Sequence, residues 1–300
     1  MARRDAVAHM NAFEFLNAQE QGNSTRPTGI FFQVMLSTVM LVVFLRNIYY
    51  AVSLVRKYPR KIAPWCSLSI ATTGALFFGG FGLPFAFPGG PSCRTLLFAL
   101  SIALTLCSMA ISIILLERAY LAHCRNRYLL VIGMLLILLE SLLFYVLSWM
   151  TEAHIAPAYG CHAHFLYYVP VVHFLLTAPA NTVLSVAFLI VVYRKYRRYG
   201  EKCWRLLVRE GTVTMLLVLG SNFLCMICNA FRLFSGNTPI LYVIECGLIS
   251  TVIVESLRRL DTFMYRDDLH HQHATKLQHT LWSSDGILPT IVHADLDTLC

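Results

Sequence analysis

The stretch YLLVIGMLLILLESLLFYVLSWM, residues 128–150, carries a single charge, Glu140. A membrane-crossing helix needs about 20 mostly apolar residues, and this run meets that length. Working outward, six further runs of the same kind appear, at 30–55, 64–87, 96–120, 165–193, 211–231 and 240–257. Across the 300 residues 57% are apolar and 13% charged, with a mean hydropathy of +0.61. The charged share is about half of the roughly 25% found in soluble domains. A water-soluble fold of this size could not hide so much apolar surface in one core. The sequence therefore predicts an all-α membrane protein, a seven-transmembrane helix bundle over residues 30–257. A polar N-terminal tail covers 1–29 and a cytoplasmic segment covers 258–300.

Lysine and arginine placement sets the expected orientation, because basic residues concentrate in cytoplasmic loops. The loops after the first, third, fifth and seventh runs, with their helix ends, hold 18 of them; the N-tail and the other loops hold 5. The N-terminus is expected outside and the C-terminus in the cytoplasm. Asn23-Ser24-Thr25 is an N-glycosylation acceptor on the expected outer side. The N-tail has no apolar segment before Gly29, so the first run is expected to act as its own targeting signal.

The net charge of +8 does not point to nucleic acid. The basic residues sit in short clusters between apolar runs, as loops facing anionic lipid require. Ten cysteines are present. The one C-x-x-C pair, Cys225 and Cys228, lies inside an apolar run, where small buried thiols are expected rather than a metal or redox centre.

The third run opens at Cys93 and closes on Glu117-Arg118-Ala119-Tyr120. A cysteine at the start of this helix, with an Asp/Glu-Arg-Tyr triplet 25 residues on, resembles the rhodopsin-like G protein-coupled receptors. The resemblance spans roughly residues 30–265. It implies a disulfide between Cys93 and Cys161 that pins the second outer loop over the bundle. It also implies a switch at Glu117 and Arg118, whose release would offer a charged donor to a heterotrimeric G protein at the plasma membrane. Asn47 stands much like the family's asparagine of the first helix. The chain departs from the pattern elsewhere. Ala119 replaces the tyrosine of the triplet, the second run lacks the sodium-binding aspartate, and the Trp-x-Pro and Asn-Pro-x-x-Tyr motifs are missing. A divergent receptor and a seven-helix protein of another lineage both remain open.

Ionisable residues at membrane depth are functional candidates, and Arg46, Glu140, His173, Glu245 and Glu255 qualify. His173, Arg232 and Glu245 fall at similar outer depths and form the candidate ligand pocket; a structural charge pair between Glu245 and Arg232 is the competing reading. Glu255 precedes Arg259 by four residues, the spacing of a local ion pair. Pro170 and Pro179 lie in the fifth run, where a proline can kink a membrane helix. The seventh run has no lysine for a retinal Schiff base. Leu100 stands where the family's amine receptors carry aspartate. The expected extracellular ligand is therefore neither retinal nor a biogenic amine.

The segment RKYRRYGEKCWRLLVR, 194–209, extends two helices and could dock a G protein or simply contact lipid headgroups. Leu257, Leu260, Phe263 and Met264 recur at helical spacing and predict a short amphipathic helix after the seventh span. A transporter or channel is the main alternative, because Gly79, Gly80, Gly82 and Pro84 interrupt the second run. No matching interruption or inverted repeat accompanies it. A seven-helix lipid hydrolase would need converging histidines and carboxylates. His123 and His173 are too few for that, so no enzyme activity, cofactor or metal is expected.

Overall fold

The computed structural model describes residues 12–14, 28–123, 126–149, 151–156, 160–165, 169–199, 202–230 and 241–262. Seven long helices lie among them. They are α1 (Thr28–Lys57), α2 (Ile62–Phe77), α3 (Cys93–Ala122), α4 (Arg127–Trp149), α5 (Val169–Tyr199), α6 (Lys202–Ala230) and α7 (241–262). Among the described residues three stretches, Gly29–Lys57, Ile62–Ala86 and Cys93–Leu121, are long and apolar enough to cross a membrane. On α4, Val131, Leu135, Leu138 and Leu142 form an exposed apolar stripe, while Ile137 and Glu140 turn inward. A helix that shows its apolar face outward and hides its carboxylate suits lipid, not water. The chain is thus a helical membrane protein.

Backbone chemistry explains the irregular end of the second apolar run. After Phe77 the helix widens into a π-helical turn, Phe78–Gly82, followed by a 3-10 turn at Pro84–Ala86. Pro84 has no N–H to continue an α-helical ladder. Gly89, at φ +75°, then takes the left-handed conformation that glycine adopts without a Cβ clash. Ser92 caps α3 by accepting from the Thr95 N–H at 3.3 Å. Pro170 sits in the first turn of α5, where a missing N–H costs nothing. Pro179 lies inside that helix.

The helices pack as neighbours α1 to α2, α2 to α3, α3 to α4 and α5, α4 to α5, and α5 to α6. Small residues allow close approach, as membrane helix packing requires. Gly74 of α2 faces the buried Phe44 ring of α1, and a Cβ there would lie 2.6–2.7 Å from ring carbons. Asn47, almost fully buried, ties α1 to α7 by donating to Ser250 Oγ at 3.0 Å and Thr251 Oγ1 at 3.3 Å. One apolar core surrounds α3 through Ile111, Ile114, Leu115, Leu184, Met215 and Ile253. A second, near the start of α3, includes Phe44, Phe77, Phe85 and Leu96, and it also buries Ala12 of the N-terminal tail.

Two features refine the expected architecture. The connection from α4 to α5 holds an antiparallel hairpin, β1 (Thr151–Ala156) and β2 (Gly160–Phe165), with Ile155 opposite Cys161. Phe165, expected to open the fifth helix, closes β2, and α5 starts at Val169. The expected short amphipathic helix after the seventh span falls only partly within the described residues. Residues 258–262 continue α7 without a break. No glycine or proline interrupts 255–262, and Glu255 staples the next turn by pairing with Arg258 at 3.1 Å and Arg259 at 3.2 Å. The Glu255–Arg259 pair is the one its spacing predicts. Phe263 and Met264 lie outside the described residues.

Candidate functional site

Helix α3 runs the length of the bundle and carries candidate residues at both ends. At one end Cys93, its first residue, is disulfide-bonded to Cys161 of β2, with a Cα–Cα separation of 5.6 Å. The backbone N–H of Cys161 also donates to Gln33 Oε1 of α1 at 3.1 Å. Cys93, Cys161 and Ile155 are all buried. The hairpin is thereby held against α3 and α1 together.

Arg118 lies 25 residues further on, about 37 Å along the axis at 1.5 Å per residue. It is half-buried, and its Nη2 is buried with no hydrogen-bond partner among the described residues. No hydrogen bond from Glu117 reaches that Nη2. Oε1 of Glu117 instead accepts from the Ile62 N–H at 3.3 Å. Ile62 opens α2, and its N-cap, Lys61, makes no side-chain capping bond. Glu117 therefore acts as a cap supplied by another helix, where a carboxylate also meets the positive end of the α2 dipole. Oε2 of Glu117, Ser67 Oγ of α2 and Ser256 Oγ of α7 are likewise buried and unpartnered. All lie within two turns of the helix ends on this side. Buried polar atoms are normally satisfied, so their concentration here leaves hydrogen-bonding capacity for an incoming group.

The same end is fastened on its rim. Asp261 of α7 pairs with Lys57 of α1 and accepts from the Tyr58 hydroxyl at 2.7 Å. Burial raises the Asp261 carboxyl, but the Lys57 and Tyr58 hydrogen bonds outweigh it and hold the group below its ordinary value. Burial, and then the bond to Asp261, push the Tyr58 phenol up. His123, just past α3, lies with Nε2 3.1 Å from the Ala187 carbonyl of α5.

The proposed ligand residues are not gathered by what is described. Glu245 of α7 is buried, with Oε1 unpartnered among the described residues and the Cys225 thiol of α6 nearby. His173 lies on α5, but its side chain is outside the described residues. Arg232 and Asn23 are also outside them.

One polar cluster escaped sequence reasoning. Glu140 of α4 is fully buried, and Ser112 Oγ of α3 stands 2.8 and 2.9 Å from its two oxygens. Ser108, one turn earlier, faces the same carboxyl, and Asn181 Oδ1 of α5 lies 3.4 Å from Ser112 Oγ. The i, i+4 serines on α3 were the available signal. Among the described residues no group of three or more histidines, cysteines and carboxylates is placed to hold a metal ion. The chain matches no known family model and no curated protein.

Proposed function

We propose that the chain is a receptor of the G protein-coupled type in the plasma membrane, crossing it seven times with the N-terminus outside. The observation that carries this reading is the arrangement along α3. One end is pinned by the Cys93–Cys161 bond to a hairpin, and the other presents Arg118, whose buried Nη2 has no hydrogen-bond partner among the described residues. Those features fall at the spacing by which the third segment resembles the rhodopsin-like receptors.

The mechanism is a shift between two populations. An extracellular ligand, neither retinal nor a biogenic amine, binds near the hairpin and Glu245. It favours a state in which the α5 and α6 ends beyond Arg118 move apart. A ligand shifts this equilibrium only by its difference in affinity for the two states. In the shifted state Arg118 donates to a segment of a heterotrimeric G protein. The basic stretch 194–209 guides the encounter electrostatically.

The test is complex formation. The full chain in lipid nanodiscs is mixed with each class of heterotrimeric G protein after enzymatic removal of nucleotide, then separated by size. Co-elution with at least one class, reversed by a GTP analogue, is expected. Failure of every class to co-elute with folded, disulfide-bonded protein contradicts the reading.

A further inference from the structure

Glu140 is a fully buried carboxyl that the proposed signalling route does not use. The groups facing it come from two helices packed on α4. From α3 they are the Ser108 and Ser112 hydroxyls, and behind Ser112 stands the Asn181 amide of α5. Among the described residues no aspartate, other glutamate, histidine, lysine or arginine of α3, α4 or α5 pairs with it.

We infer that the juxtaposition of Glu140, Ser112 and Asn181 is a proton-binding site, and that the bound proton completes a hydrogen-bond chain joining α4, α3 and α5.

The number of available hydrogens distinguishes the two protonation states. A serine hydroxyl has one. If Glu140 is ionised, the Ser112 hydrogen goes to the carboxylate, and Asn181 Oδ1 faces Ser112 Oγ as one acceptor against another. If Glu140 carries a proton, the carboxyl donates to Ser112 Oγ, and Ser112 donates to Asn181 Oδ1. Every group on the path is then satisfied. Exchanging the Asn181 oxygen and nitrogen, so that the amide N–H faces Ser112 Oγ, also satisfies the count. That arrangement leaves a full negative charge buried among apolar helices with no cation, which is costly. The neutral acid removes both problems. The step is one proton from bulk water adding to a carboxylate oxygen, without oxidation or bond cleavage. Loss of the proton strands a charge between three helices, and water entry or helix separation relieves it. The site thus couples proton occupancy to the packing of α4 against α5, whether or not the receptor reading holds.

Infrared difference spectroscopy on the full chain in nanodiscs tests this at neutral pH, in sodium and in choline buffers. The wild type is expected to show the carbonyl band of a protonated carboxylic acid. The band is lost in Glu140→Gln and shifted in Ser112→Ala, and it is indifferent to sodium. If Glu140→Gln does not fold, the Ser112→Ala shift alone assigns the band. A neutral-pH spectrum with no acid carbonyl band responding to either variant overturns the proposal. So does a Glu140 carboxylate band that moves when sodium replaces choline, which would make the site a cation site instead.

Discussion

Glu117 Oε1 accepts from the backbone N–H of Ile62, at 3.3 Å, while neither Glu117 Oε2 nor Arg118 Nη2 has a hydrogen-bond partner among the described residues. Successive helical residues point about 100° apart, so the two side chains leave α3 in different directions, and the carboxylate reaches α2. The resting arrangement therefore stores an unpaired donor beside a helix cap. Disturbing either residue should have separable effects, on α2 stability for Glu117 and on partner engagement for Arg118.

Removing the disulfide should loosen the end of the bundle that it holds. Cys93→Ser or Cys161→Ser frees a loop closed over a sequence separation of 68, a constraint worth about 2–4 kcal/mol in the chain-entropy account. A lower melting temperature in nanodiscs, with faster proteolysis between α4 and α5, is the expected result. Unchanged melting and proteolysis would show that the bond does not hold the hairpin.

Gly74→Ala should destabilise the α1–α2 contact by about 1–3 kcal/mol, the usual cost of overpacking. The new methyl would meet the Phe44 ring at 2.6–2.7 Å. Phe44→Leu in the same chain should recover part of the loss. Thermal unfolding of the single and double variants measures the coupling, and simple additivity would refute the contact.

The Asp261 pair should give a small acid-sensitive contribution. Its carboxyl is held below the ordinary value of 3.8, so the stabilisation is present above that pH and is lost as pH falls through the lower folded value. Lys57 is 43% exposed, which keeps the effect at or below about 1 kcal/mol. Asp261→Asn should lower the melting temperature slightly at pH 7, and the difference from wild type should shrink below about pH 4. A constant difference across that range would assign the effect to packing.

Asn23 reports orientation. Chain made in a eukaryotic secretory system should lose mass on glycosidase treatment, and Asn23→Gln should abolish that loss. A glycan-free wild type would remove this support for an outside N-terminus.

Local chemistry made much of the fold legible and hid much of the site. The runs that became α1, α3 and α4 announced themselves by apolar length, and the Glu255–Arg259 pair by its spacing of four. The glycines before Pro84 marked the irregular end of the second run. By contrast, Ser112 and Asn181 are ordinary residues in apolar helices. Their meeting with Glu140 depends on how α3, α4 and α5 rotate about their axes, which pairwise packing sets. The reach of Glu117 to Ile62 crosses a sequence gap of 55 and has no local signature. Amphipathic spacing after 257 reads the same in a separate helix and in an extension of α7, so the sequence alone does not distinguish the two.

The most direct test of the receptor account is nucleotide exchange. The full chain in nanodiscs is assayed with a panel of heterotrimeric G proteins, wild type beside Arg118→Ala of matched folding and disulfide content. The account predicts that the wild type raises exchange on at least one G protein, by itself or with added ligand, and that Arg118→Ala changes that rate several-fold. Exchange that Arg118→Ala leaves unaltered, or none with any G protein from folded wild-type chain, would contradict it.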